Sequence, residues 1–201
     1  MGFSSLIDIL GSTLIGGMLF MILLSMNNAS VENTYTHGGE LIVQQNLVSV
    51  VEVLEHDFRK IAYCSNWQAL PDPTFSILAA DTSSITFLTD VEPDGIVDTM
   101  HYYLGSLSEL AHTPNPRDRM LYRVVNSETP IGTNLGITNF KIVYYSSIEQ
   151  QLTCPLVLPH TGSINSMQIN LTVENPAAYD EKYASAFWRQ VRLASRNLRN
   201  R

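Results

Sequence analysis

The first apolar positions along the chain form a block. Residues 9–26 carry no charge and are mostly apolar, close to the roughly 20 residues a helix needs to cross a bilayer core. From Asn27 to Gly39 the chain turns polar, and Asn27, Asn28, Asn33, Gly38 and Gly39 are weak helix formers, so a helix passing here is expected to be locally soft. From Glu40 a stripe appears: Val43, Leu47, Val50, Leu54, Phe58 and Ile61 recur at three- and four-residue steps, flanked by Val51 and Ala62. That period predicts one helical face packed on a sheet. Glu52, Glu55, His56, Arg59 and Lys60 lie off the stripe. Cys64-Ser65-Asn66 ends the pattern, and Pro71 and Pro73 keep it from resuming. The spacing therefore predicts one helix to about Tyr63, greasy at its start and amphipathic in its second half.

Beyond it the pattern is that of strands. Ile85 to Leu88, Asp98 to Leu104, Met120 to Val125, Ile137 to Tyr145 and Met167 to Val173 are strand candidates. Asp94-Gly95 suggests a hairpin turn before the second of them. Phe187 to Leu193 reads as a strand with Phe187, Val191 and Leu193 on one face. Residues 114–116, 129–136 and 153–162 read as loops. The expected class is α+β, with a long N-terminal helix on an antiparallel sheet. The divisions are 1–2 as a vestigial leader, 3–26 as a membrane-embedded half-helix, 27–63 as its amphipathic continuation, and 64–201 as a β-rich head.

Charge changes the picture at both ends. The net charge of -7 is uneven: Asp8, Glu32, Glu40, Glu52, Glu55 and Asp57 all precede the first basic residue, Arg59. Arg189, Arg192, Arg196 and Arg199 crowd the far end. An acidic helix and a basic tail suit pairing between subunits, with the tail reaching Glu32, Glu40 or Glu52 of a neighbour, or a solvated terminus. No basic patch is interleaved with aromatics, so no direct nucleic-acid partner is expected. In the apolar block, Ser12 with Gly16 and Thr13 with Gly17 place small residues four apart, a spacing that lets another helix approach closely. Asp8 at the start of such a helix costs about 2.5–3.5 kcal/mol at mid-bilayer, less near the interface, and points to a partner.

Candidate chemistry is sparse. Cys64 and Cys154 allow one pairing, a long-range bridge or else two thiols. Asp90, Glu92, Asp94 and Asp98 surround Gly95, which is either a Ca²⁺ loop or an acidic hairpin turn; apart from that candidate ion no cofactor is expected. No two histidines share metal-ligand spacing on one element, and no phosphate loop or nucleophile elbow occurs, so an enzyme is not expected.

Gln44-Gln45-Asn46 through Glu52, Leu54, Asp57, Arg59 and Tyr63 resemble the Gln-Glu-Asn, Asp-x-Arg and terminal Tyr pattern of PilW-like minor pilins. These are type IV pilin-like proteins related to the J-type minor pseudopilins of type II secretion. Ile85-Thr86-Phe87, Asp90, Asp94-Gly95, Asp98 and Tyr102-Tyr103-Leu104 are similar to the family's next block, and Gly136-Ile137, Phe140 and Tyr144 to the strand after it. The resemblance implies a pilin-like fold and a subunit that primes or caps a type IV filament. It also implies cleavage between Gly2 and Phe3 with methylation of Phe3. The family's acid, which pairs with a neighbour's N-terminal amine, falls at Ile7, one residue before Asp8. The implied partners are major and minor pilins or pseudopilins, the inner-membrane assembly platform and the lipid bilayer. The implied location is a bacterial inner membrane, crossed once, with a periplasmic head. The contrasting reading is a membrane-anchored binding module or adhesin that never enters a filament.

Overall fold

The computed structural model describes residues 2–176 and 183–193. Helix α1 runs from Gly2 to Arg59, and the chain divides into two compact units, Met1–Gly39 and Glu40–Arg201.

The first unit is helical throughout its described residues. The polar stretch after Met26 does not break the helix. Thr34 and Thr36 fold their hydroxyls back onto the carbonyls of Ser30 and Glu32, each at 2.9 Å. This satisfies the side chain within the helix instead of letting it compete for backbone donors.

The second unit packs the rest of α1 on one antiparallel sheet. Its strands are β1 Ile77–Ala80, β2 Ser84–Thr89, β3 Asp98–Leu104, β4 Arg119–Val125, β5 Ile131–Tyr145, β6 Leu156–Val157, β7 Ser166–Glu174 and β8 Ser185–Leu193. The spatial order is β6-β1-β2-β3-β4-β5-β7-β8. The stripe read from the sequence is the helix's buried face. Val43, Val50, Leu54, Phe58, Ile61 and Ala62 are buried, with Leu47 and Val51 half-buried beside them. Against them stand the inward residues of the strands, including Ile85, Phe87, Met100, Tyr102, Ile142, Ile169 and Leu171. Phe58 meets the rings of Phe87 and Tyr102 edge-on, with centroids 5.6 and 5.4 Å apart, the arrangement aromatic quadrupoles favour.

Four expectations need correction. The helix stops at Arg59, short of Tyr63, because Ala62 takes a left-handed φ of 63°. The chain then turns so that the Ala62 N–H donates to Leu88 O in the sheet (2.9 Å). The loop expected over 129–136 is strand from Ile131 onward: its first part pairs with β4 and the part from Ile137 with β7. Ile137 pairs on both sides, with Arg119 and with Val173, and Gly136 before it takes φ 73°, where a Cβ would collide with the Glu174 carbonyl oxygen. The loop expected over 153–162 contains β6 at Leu156–Val157, and β1 lies where no strand was expected. β8 is a strand as expected, but Phe187 lies off the core face, exposed, while Ala186 and Trp188 pack on the core. The side chains of Val191 and Leu193, the rest of the expected face, lie outside the described residues.

Candidate functional site

Two features carry the functional weight, one in each unit. The first is the surface of the apolar half-helix. Phe3 is 81% exposed and Phe20 61%, and every residue of the segment 5–26 is exposed. This helix is long and apolar enough to cross a membrane. Gly2 begins the helix and Asp8 lies exposed on its surface. Ser12 donates its hydroxyl to the Asp8 carbonyl, and Thr13 to that of Leu10 at 3.0 Å. Their polar atoms are thus satisfied inside the helix, and what they show outward is small. Gly16 and Gly17 face open space, with nothing within 4 Å of where a Cβ would be. Four-residue steps put Asp8, Ser12 and Gly16 on one helical face, with Thr13 and Gly17 next to it.

The second feature is a polar knot near the end of α1. Asp57 is buried beside Phe58. Arg123 Nε of β4 donates to its Oδ2 at 2.7 Å, Tyr102 Oη of β3 donates to the same oxygen at 2.6 Å, and His56 Nδ1 lies 3.1 Å from Oδ1. Burial pushes the Asp57 pKa up, but the hydrogen bonds from Arg123, Tyr102 and His56 outweigh it and hold the carboxyl below its usual range. Burial, reinforced by the Asp57 charge, drives the Tyr102 phenol far upward, so it remains a donor. Three elements are joined through one carboxylate. The sequence flagged Asp57 only through its local Asp-x-Arg spacing, and the structure assigns it another arginine. Arg59 pairs with Glu55 at 3.3 Å, one helical turn back. A charged residue three after Leu54 and four before Ile61, both on the stripe, was the available signal; its partners lie too far along the chain to be read.

The acidic turn is a backbone cap. Asp90 is buried and accepts four hydrogen bonds: from Ser65 Oγ at 2.7 Å, Ser65 N at 2.9 Å, Gly95 N at 3.0 Å and Asp94 N at 3.1 Å. The Ser65 hydroxyl and amide lead in holding its pKa down. Asp94 accepts from Ile96 N and Asp98 from Val91 N and Asn126 Nδ2, while Glu92 is exposed. Asp90 is spent on Ser65 and on backbone donors of the loop, whereas Glu92, Asp94 and Asp98 line one polar cavity of about 240 Å³ with Asn126 and Glu128. Among the described residues no three His, Cys, Asp or Glu side chains come together as a metal site.

Cys64 and Cys154 are free thiols, so the candidate bridge is not formed. Cys64 points its sulfur at the Gly95 carbonyl, 3.7 Å away. Of the arginine-rich tail, Arg189 donates to Asn170 Oδ1 at 2.9 Å and lies over the Phe187 ring at 5.4 Å. Arg192 is in β8 by its backbone, and Arg196 and Arg199 lie outside the described residues. An apolar groove of about 280 Å³ runs between α1 and the start of β5, lined by Val50, Val53, Leu121, Ile131 and Leu135, with Arg123 beside them.

No protein-family model matches this chain, and no curated protein matches it.

Proposed function

We propose that the chain is a structural subunit of a type IV pilus-like filament, a minor pilin or pseudopilin. It is held in the bacterial inner membrane by residues 3–26, with its head in the periplasm. The observation that carries the reading is the unpartnered apolar surface of that half-helix, with Asp8, Ser12 and Gly16 in line. Such a surface is stable in lipid or against other apolar helices, and the small residues favour the second by letting backbones approach. Asp8 is the residue that sets register, through a neighbour's N-terminal amine, and the desolvated pair is what makes its place in the membrane tolerable. The head's role is to display a surface to neighbouring subunits and the assembly platform; extension of the filament is driven by other proteins, and this chain performs no catalysis.

Mass spectrometry of the native protein tests the reading. A methylated N-terminus at Phe3, in protein recovered from sheared filaments, is the expected result. An intact Met1 and a protein confined to the membrane fraction would favour the second reading, a membrane-anchored binding module. The apolar groove beside Arg123 is the observation that supports that alternative.

A further inference from the structure

Away from the helix, just before β4, Asp118 is 1% exposed and neither of its carboxyl oxygens has a hydrogen-bond partner. Burying a carboxylate without partners costs several kcal/mol, so a fold that does so leaves something to be explained. Its electrostatic neighbours are the Thr113 hydroxyl and the carboxyl of Glu174, at the end of β7. The Thr113 hydroxyl lies within hydrogen-bond reach of the Leu110 and Asn115 carbonyls, at 2.9 and 3.1 Å. Glu174 engages only one of its oxygens: Oε2 accepts from Asn115 Nδ2 at 2.9 Å and from Arg117 Nε at 3.0 Å, with Arg117 Nη2 at 2.8 Å. Within this cluster three carboxyl oxygens are uncommitted among the described residues: both of Asp118 and Oε1 of Glu174.

A proton is the competing occupant, because burial raises the Asp118 pKa, with the Thr113 hydroxyl opposing the rise and the Glu174 charge adding to it. A proton still leaves both Asp118 oxygens without a hydrogen-bond partner, and the two carboxyls make no hydrogen bond to each other through which to share one. With both carboxyls ionised, Arg117 offsets one negative charge through Glu174, and a bound cation offsets the other. We propose that Asp118 and Glu174 form a binding site for a hard divalent cation of the Ca²⁺ type, which ties the 110–118 loop to the end of β7. The donor set is all oxygen: the two carboxyls, and the Thr113 hydroxyl beside Asp118. That mixture, completed by water, suits Ca²⁺, whereas zinc takes nitrogen and sulfur as well. The site is distinct from the Asp90 turn, where Asp90 is spent on Ser65 and on backbone donors of the loop.

The test uses the full chain in detergent, stripped with a chelator and titrated calorimetrically with Ca²⁺. One site per chain is expected, lost in Asp118→Asn, weakened at least tenfold in Glu174→Gln and unchanged in Asp94→Asn. Ca²⁺ should raise the melting temperature of the unsubstituted chain by several degrees and leave that of Asp118→Asn unmoved. Without the ion, Asp118→Asn should melt no lower than the unsubstituted chain, because the buried unpaired charge is gone. Absence of binding at millimolar Ca²⁺, or binding that survives Asp118→Asn, overturns the proposal. Hydrogen exchange on the unsubstituted chain reads the site without any variant: Ca²⁺ should slow exchange in residues 113–119, and slowing confined to 90–98 would place the ion elsewhere.

Discussion

Asp57 shows how much one side chain can be asked to hold. It is the last buried polar residue of α1, and its carboxylate receives Tyr102 and Arg123 from two neighbouring strands. Replacing Arg123 by Met strands the carboxylate. The expected loss is about 3 kcal/mol, at the low end for broken buried pairs because the arginine is itself partly exposed. Chemical denaturation measures it, and adding Asp57→Asn to the same chain should recover part of the loss, as coupled partners do. The pair also predicts an acid limb. Because the folded pKa of Asp57 is lowered from 3.8, its contribution is fully present above that value and is lost as pH falls through the lower folded value. Asp90 is shifted the same way. Melting temperature should therefore fall below about pH 4, and the fall attributable to Asp57 should be absent in Asp57→Asn.

At the scale of elements, β5 is the instructive case. A single 15-residue strand serves two neighbours, and Gly136 stands just before Ile137, which pairs with both. Gly136→Ala should cost about 1–3 kcal/mol from its positive φ alone, and the clash with the Glu174 carbonyl adds to that. The check is the denaturation midpoint, with Gly38→Ala as the comparison, since that glycine faces open space. The glycines that make this strand possible are also what made residues 129–136 read as a loop. Local propensity describes what a residue prefers when alone, and pairing with β4 overrides it. The amphipathic half of α1 was legible for the opposite reason. Val43 through Ile61 repeat with the helical period, and a period survives whatever sheet it meets. Asp57 was not legible as a knot, because Arg123 and Tyr102 come from strands whose order no local pattern specifies.

For the whole molecule, the apolar half-helix is long and apolar enough to cross a membrane, while the sheet-bearing unit buries its own core. Substituting Gly16 and Gly17 by Ile should leave the chain's own thermal unfolding unchanged, because both positions face open space. If helices pack there, the same change should reduce recovery in sheared filaments by tenfold or more; unchanged incorporation would remove the small residues from the assembly argument. Hydrophobic patterning by itself determined the long N-terminal helix, its membrane-compatible first half, the buried face of its second half and most of the strands, because burial and periodicity are written locally. Only the tertiary structure decided the strand order, the partner of Asp57, the free state of Cys64 and Cys154, the capping role of Asp90 and the isolation of Asp118. Each of these depends on which distant residues meet, and that is set by the packing of the whole sheet.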